Sequence, residues 1–189
     1  MLIVVEPYQE SWPAEFHALA APLRAALGRL ALRIDHIGST AVPGLAAKDV
    51  IDIQITVAEL AEPVEKALNR AGYDRLGHPV RDHVPPGGPA DPLEWTKWVF
   101  KPQASREVHV HVRVAGRANQ RYPLLFRDYL RAHPPARDAY AQVKQALARL
   151  HPGDKQAYYD VKDPVCDILI AAAECWATTT GWAPPTSDA

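Results

Sequence analysis

The segment DVIDIQITV, residues 49–57, constrains the fold more than any other part of the chain. Its apolar and polar residues alternate, which is the period of a β-strand that buries one face. The apolar positions are Ile51, Ile53, Ile55 and Val57, and the polar positions are Asp52, Gln54 and Thr56. Because an unpaired carboxylate removed from water is costly, Asp52 must face solvent, stay protonated or meet a partner. The strand therefore raises the question of what Asp52 contacts.

The other periodic segments predict an α+β protein. Strands are predicted for LRIDHIG, EWTKWVFK and REVHVHVRV. Helices are predicted at about residues 11–27, 59–71, 123–132, 136–150 and 155–177, the first of them capped by Ser11. The order of helix, strands, helix, strands and helices predicts a mixed β-sheet packed by helices, with a C-terminal helical layer.

The length of 189 residues, of which 48% are apolar, suits one domain with a substantial core. We expect residues 1–177 to form that domain, with an α/β part to about residue 115 and a helical part over about 120–177. Residues 178–189 are predicted to be a disordered tail. Residues 77–92 contain five prolines and three glycines and are predicted to be a mobile loop, not a linker, because strands resume after them.

Composition narrows the classes of partner. The formal net charge of −1 argues against a nucleic-acid partner, and no apolar run is long enough to cross a membrane. Cys166 and Cys175 lie nine residues apart on one predicted helix, roughly 13 Å along its axis, which is too far for a disulfide. The opening MLIVVEPYQ is too short for a signal peptide. These features predict a cytoplasmic protein with reduced cysteines.

The turn before the alternating strand has the composition of an anion-binding loop. Gly38 allows a positive φ or a close approach of backbone, and the amides and hydroxyls of Ser39 and Thr40 can then hold an anion. Lys48 can add a phosphate contact, and Asp52 can hold a divalent cation. A turn, a cation and an acid within twenty residues predict a nucleotide-triphosphate site. The alternative is an ordinary turn beside a solvated lysine.

A pair of histidines lies in the last predicted strand. His109 and His111 are two residues apart, so their side chains project from the same face. With Asp52 they would form a set of two imidazoles and a carboxylate, and His36 is a fourth candidate ligand. Such a set suits zinc, manganese, nickel or iron(II) better than magnesium. The alternatives are solvated histidines on an open sheet face, or histidines that bind a phosphate or carboxylate.

Two charged segments could complete a ligand site. Arg127 and Arg131 are four residues apart on a predicted helix and could clamp a polyphosphate, or pair locally with Asp128. Asp82 and His83, in the proline-rich loop, could close over a ligand.

Several blocks of the chain resemble the GrpB family. These blocks are HIGSTAVPGLAAKDVIDIQITV, HVHV, FRDYLRAHP, YAQVKQALA and YYDVK, and the resemblance covers nearly all of the chain. Lys162, in the last block, is a further candidate phosphate ligand. The resemblance implies a fold similar to the nucleotidyltransferase superfamily, whose pattern is a Gly-Ser turn, two acids one residue apart, and a third acid on a later strand. Gly38, Ser39 and Asp52 match this pattern.

The chain departs from that pattern at the other two acids. Gln54 replaces the second acid, and histidines replace the third. The resemblance therefore implies a domain that binds a nucleotide or CoA-like phosphate ligand with a divalent metal (magnesium, manganese or zinc), as an enzyme or a degenerate enzyme with an incomplete acidic triad. A second hypothesis is a non-catalytic accessory domain for dephospho-CoA kinase or its folding. A third is a metal-dependent enzyme of another class, centred on Asp52, His109 and His111.

Overall fold

The computed structural model describes residues 2–77, 80–104 and 106–189. Within these ranges there are five α-helices and six strands. The helices are α1 (Trp12–Leu27), α2 (Glu62–Arg70), α3 (Ala118–Ala132), α4 (Pro134–Leu150) and α5 (Lys155–Thr180). The strands are β1 (Arg33–Ile37), β2 (Ile51–Val57), β3 (Tyr73–Arg75), β4 (Val80–Arg81), β5 (Thr96–Pro102) and β6 (Val108–Val114). In this part of the chain no helix is both long and apolar enough to span a bilayer.

The strands form one mixed sheet in the order β1-β2-β6-β5-β3, and β4 pairs with β5. Strands β2 and β6 are parallel, whereas the other pairs are antiparallel. The mixed sheet and its helices confirm the predicted α+β class. The parallel pairing sets Asp52 opposite His109 and Gln54 opposite His111. Because opposed residues project from the same face of a sheet, the polar face of β2 and the histidines of β6 lie on one side.

The two faces of the sheet are covered by different helices. Helices α1 and α2 pack on the apolar face, where Phe16 and Leu23 join the isoleucines of β2 in the main core. Helices α3, α4 and α5 form the predicted C-terminal helical layer, which has separate apolar clusters around Leu130 and Leu125. These helices lie over the polar face of the sheet, and a cleft separates the sheet from the helical layer.

Helix α1 has its predicted bounds, whereas α3 begins earlier than predicted. Helix α1 continues through Pro22, and the side chain of Ser11 bonds to Glu15 (2.7 Å) without capping a backbone amide. Helix α3 begins at Ala118, five residues before the predicted start, and continues through Pro123, its sixth residue, where the proline removes one backbone hydrogen bond.

The sequence predicts a disordered tail over residues 178–189. In the structure α5 continues to Thr180, and the last three residues lie along the outer edge of β1. The Ser187 hydroxyl and the Asp188 carboxylate accept hydrogen bonds from the amides of Ile34 and His36, both at 2.9 Å. The amide of Ala189 donates to the carbonyl of Ile34 at 3.1 Å. These contacts satisfy backbone groups that an uncovered edge strand would expose.

Candidate functional site

A cleft of about 540 Å³ lies between the polar face of the sheet and the helical layer. This volume falls within the roughly 300–1,000 Å³ that is usual for small-molecule sites. The residues from the sheet side and its loops include Gly38, Ser39, Thr40, Lys48, Asp52, Asp82, His83, His109, His111 and Arg113. The residues from the helical layer include Asn119, Tyr122, Phe126, Arg127, Tyr140, Lys144, Tyr158 and Lys162. Most of the candidate residues selected from the sequence therefore line a single cavity.

Asp52, His109 and His111 converge on the floor of the cleft. Asp52 Oδ1 lies 3.3 Å from His109 Nδ1 and 3.4 Å from His111 Nε2. One potential ligand atom from each residue lies within 4.8 Å of the other two. The register of β2 and β6 produces this arrangement, since it sets Asp52 directly opposite His109.

The protonation of this group follows from its surroundings. Burial by itself would raise the pKa of Asp52, but hydrogen bonds from His109 and His111 outweigh it and hold that pKa well below its usual range. Burial lowers the pKa of His111 to about 4, so its imidazole is neutral near pH 7. Among the described residues, the buried His111 Nδ1 has no hydrogen-bond partner. An ionised carboxylate beside a neutral imidazole is the protonation state that metal binding requires.

The position of the Asp52 carboxylate leaves room only for a glycine at residue 38. The φ of Gly38 is +73°, in the region that favours glycine, and a Cβ atom there would overlap Asp52 Oδ2. The turn thus lies directly against the carboxylate, as the pairing of Ile37 with Asp52 demands.

The donor set fits one borderline metal ion. Two imidazole nitrogens and a carboxylate oxygen are typical ligands of zinc, manganese or iron(II). Gln54, at the place of the second acid, is already engaged: its Nε2 donates to the carbonyl of Gln120 (2.9 Å) and its Oε1 accepts from Arg113 (2.8 Å). Since a pair of hard cations needs several carboxylates, the residues present do not fit two-metal magnesium chemistry.

His36 does not belong to this group. It pairs with Ile53 in the sheet, so its side chain leaves the face opposite to that of Asp52. Its ring stacks on Phe16 with centroids 4.8 Å apart, and its Nε2 lies 3.1 Å from the Thr40 hydroxyl. Burial lowers its pKa to about 4. The Thr40 hydroxyl in turn donates to the carbonyl of Val50 (3.0 Å), so both side chains bind protein groups.

Three lysines gather at the turn end of the cleft. Lys144, only 2% exposed, places its Nζ 2.9 Å from Ser39 Oγ and 2.6 Å from the carbonyl oxygen of Ala46. Burial, together with the charges of Lys162 and Lys48, lowers the pKa of Lys144 to about 7. Both of these hydrogen-bond partners are neutral oxygens, which do not balance an ammonium charge. This end of the cleft is therefore suited to an anion.

The other two lysines have weak partners of their own. Lys48 Nζ lies 3.1 Å from the hydroxyl of Tyr159, and Lys162 Nζ lies 3.6 Å from Cys166 Sγ. Lys162 Nζ also lies 3.5 Å from Asp163 Oδ1 in a partly exposed ion pair, whereas Lys48 has no carboxylate partner among the described residues. Because a partly exposed ion pair contributes little stability, both side chains can turn toward a ligand with little loss.

The two arginines predicted to clamp a polyphosphate are held by protein groups. Arg127 donates to Asp128 (2.7 Å), to Asp188 (2.7 Å) and to the carbonyl of His36 (2.9 Å). Arg131 donates twice to the carbonyl of Ala41, at 3.0 and 2.7 Å. Arg127 lines the cleft, whereas Arg131 lines a smaller pocket beside His36. The structure therefore does not bring both guanidinium groups into the cleft.

The proline-rich segment is attached to the structure on both sides of the cleft. Asp82 accepts hydrogen bonds from Arg113 (3.0 Å) and Asn119 (3.1 Å) and pairs with Lys97. His83 Nε2 lies 2.9 Å from Asp167 on α5. Two residues of the predicted loop, His78 and Pro79, lie outside the described ranges. Asp82 thus fixes one end of the cleft, a role that the sequence does not reveal.

The mixed sheet with its Gly-Ser turn and helical layer is a nucleotidyltransferase-like fold. The structure of Cid1 in complex with its short product ApU superposes with a TM-score of 0.51 at 15% identity, over 77% of this chain and 43% of that one. At this identity the likeness concerns the fold alone.

The chain belongs to the GrpB family, whose model, described as GrpB protein, matches residues 2–171. The crystal structure of the conserved protein GrpB from Enterococcus faecalis superposes with a TM-score of 0.74 at 29% identity, over 92% of this chain and 99% of that one. A protein named dephospho-CoA kinase from Mycolicibacterium paratuberculosis is 41% identical over 193 residues, which cover 94% of this chain and 47% of that protein. The chain spans about half the length of the dephospho-CoA kinases that it matches. The predicted family and fold are confirmed.

Proposed function

We propose that this protein binds the phosphate groups of a nucleotide or CoA-like ligand in the cleft, together with one divalent metal ion. The observation that carries the proposal is the buried Lys144, whose Nζ contacts Ser39 in the same cavity that holds Asp52 and the two histidines. Anion-binding groups and a set of metal-ligating side chains meet in one cavity, which is the arrangement that a metal-bound phosphate needs.

Electrostatics supports phosphate at the turn end of the cleft. A buried ammonium group without a nearby counter-charge is unfavourable, which is why the pKa of Lys144 is lowered. A bound phosphate would supply the missing charge and return Lys144 to its protonated form. Ser39 Oγ and the amides that follow Gly38 would contribute further donors, as backbone nests do for anions.

Asp52, His109 and His111 would hold the metal ion. When bound, the ion would act as a Lewis acid that polarises a phosphoryl oxygen. The protein's own contribution is to keep Asp52 ionised and His111 neutral, and to orient the phosphates by Ser39 and the lysines. Since Gln54 is engaged by Arg113 and Gln120, we propose single-metal ligand binding in preference to two-metal nucleotidyl transfer.

A second candidate function is that of an accessory domain. Dephospho-CoA kinases match almost this whole chain with about half of their own length, so their remaining half can hold a separate domain. This organisation favours a role beside a kinase domain. Co-purification of the chain with a separately expressed dephospho-CoA kinase domain tests this candidate, and absence of a complex at micromolar concentrations would contradict it.

Calorimetric titration with ATP, CoA and tripolyphosphate, with and without Mn²⁺, tests the principal proposal. We expect binding to the wild-type protein and a loss of at least about tenfold in Lys144→Met, because the charge that meets the phosphate is removed. Lys66→Met is the matched control, since Lys66 is exposed on α2 and pairs with Glu62. Absence of binding by all three ligands would contradict the proposal.

A further inference from the structure

Asn119 presents a buried acceptor that the protein leaves unused. It is 1% exposed, and its Nδ2 donates to Asp82 Oδ2 and to the carbonyl oxygen of Thr96, both at 3.1 Å. Both partners are acceptors only, so the amide cannot be flipped without placing oxygen against oxygen. Within the described part of the chain, Asn119 Oδ1 has no hydrogen-bond partner. Buried polar atoms of this kind are uncommon and point to a partner outside the protein.

This acceptor lies beside a flat apolar wall. Tyr122, Pro123 and Phe126 follow Asn119 at spacings of three, four and seven on α3, so the four share one face of the helix, and all of them line the cleft. The rings of Tyr122 and Phe126 are nearly parallel, with an angle of 9° and centroids 6.0 Å apart. A single hydrogen-bond acceptor beside aromatic rings is suited to a heterocyclic or sugar group that carries a donor.

Asn119 lies at the opposite end of the cleft from Lys48, Lys144 and Lys162. The turn at Gly38 adjoins Asp52, which is opposite His109, whereas Asn119 is joined through Asp82 to Arg113. Arg113 follows His109 by four positions in β6, which is about 13 Å along a strand. A ligand whose phosphates lie at the turn would therefore extend its other end toward α3.

We propose that Asn119 Oδ1 accepts a hydrogen bond from an O–H or N–H group on the nucleoside part of the ligand, and that it thereby determines which nucleoside binds. This inference rests on the proposed phosphate-binding function. The donor comes either from a ribose hydroxyl or from the base, and the two sources share the same chemistry at Oδ1.

A ligand series on the wild-type protein tests the inference by calorimetry. The probes are tripolyphosphate, then ATP, GTP, CTP and UTP, and then the 2′-deoxy and 3′-deoxy forms of the tightest nucleotide. We expect the tightest nucleotide to exceed tripolyphosphate in affinity, and an analogue without the donor to bind at least about tenfold more weakly, because Oδ1 then stays unpaired. Weaker binding by a deoxy form identifies the ribose as the source, and discrimination among bases alone identifies the base.

The variant Asn119→Ala assigns the effect to this side chain. We expect it to bind the preferred nucleotide and the disfavoured analogue with equal affinity, while its affinity for tripolyphosphate, measured as the control for folding, is unchanged. Discrimination that persists in Asn119→Ala would overturn the inference. If Asn119→Ala does not fold, the wild-type series decides, because nucleotides and analogues within about twofold of one another would overturn the inference by themselves.

The same series separates this inference from the function on which it rests. Tripolyphosphate binding without any discrimination among nucleotides would overturn the role of Asn119 and leave the phosphate site standing. Absence of binding by both tripolyphosphate and the nucleotides would remove the proposed function and this inference together.

Discussion

The two sides of the cleft are built in different ways. On the sheet side, Asp52, His109 and His111 are brought together by the register of two neighbouring parallel strands. On the helical side, Lys144 reaches Ser39 across 105 positions of sequence, and its place depends on how α4 packs over the turn. The sheet side is therefore determined by strand register, whereas the helical side depends on how the helices pack over the sheet. Each of the following variants tests one side while its control leaves that side intact.

The largest effect is expected on the sheet side, from Asp52→Asn. Removal of the carboxylate takes away one ligand of three and the charge that attracts the cation, so Mn²⁺ or Zn²⁺ affinity should fall by at least about 100-fold. Calorimetric metal titration measures this loss, and circular dichroism checks the fold. Glu62→Gln, an exposed acid on α2, should bind metal like the wild type. An unchanged affinity in Asp52→Asn would remove Asp52 from the proposed metal site.

Gly38→Ala tests the contact between the turn and the sheet side. The added methyl group would overlap the Asp52 carboxylate in a backbone conformation that alanine adopts poorly, so the free energy of unfolding should fall by roughly 1–3 kcal/mol. Metal affinity should also fall, because the carboxylate is displaced. Urea denaturation and metal titration measure the two effects.

Gly72→Ala is the control for the cost of placing alanine at a positive φ. Gly72 also has a positive φ, of +84°, but a Cβ there meets no atom within 4 Å. It should lower stability and leave metal binding unchanged. Equal metal affinity in Gly38→Ala and Gly72→Ala would show that the turn does not position Asp52.

On the helical side, ligand affinity should depend on pH through Lys144. The pKa of this lysine in the free protein is about 7, so the charge that attracts phosphate is progressively lost above that value unless the ligand restores it. We expect tripolyphosphate affinity to decline from pH 7 to pH 9, with proton uptake on binding. Calorimetry in two buffers of different ionisation enthalpy measures the protons taken up. Lys144→Met should abolish this uptake, and an unchanged uptake in that variant would assign it to another group.

The smallest effect concerns stability. The pKa of Lys144 is lowered on folding, so the unfolded chain binds its proton more tightly, and burial of this lysine lowers stability wherever the unfolded chain is protonated. Lys144→Met should therefore raise the free energy of unfolding, fully below about pH 7 and progressively less toward pH 10. Urea denaturation at pH 6, 8 and 9.5 measures the difference. A gain that grows with pH would contradict the assigned direction.

The sheet side could be predicted from sequence because its signals are local. The alternation around Asp52 and the spacing of His109 and His111 fix which face each side chain occupies, and only the pairing of β2 with β6 had to be assumed. His36 shows the limit of this reasoning. Asp35 and His36 are both polar and both buried, so the alternation in β1 does not reveal that His36 faces the α1 side.

The helical side could not be predicted in the same way. Arg127 has the spacing of a phosphate clamp, but its charge is balanced by the adjacent Asp128 and by Asp188, and Asp188 is distant in sequence and lies in the segment predicted to be disordered. Lys144 did carry a signal, since it follows Tyr140 by four residues and precedes Leu147 by three on the buried face of α4. A lysine at an apolar position of a helix indicates a buried charge, but only the structure shows that Ser39 lies opposite.

The most direct test of whether metal and phosphate bind in the same cleft is a crystal structure of the protein with Mn²⁺ and ATP, examined by anomalous scattering at the manganese edge. We expect one anomalous peak bound by Asp52, His109 and His111, with the phosphates against Ser39 and Lys144. An anomalous peak elsewhere, or phosphates outside this cleft, would contradict a common site for metal and ligand.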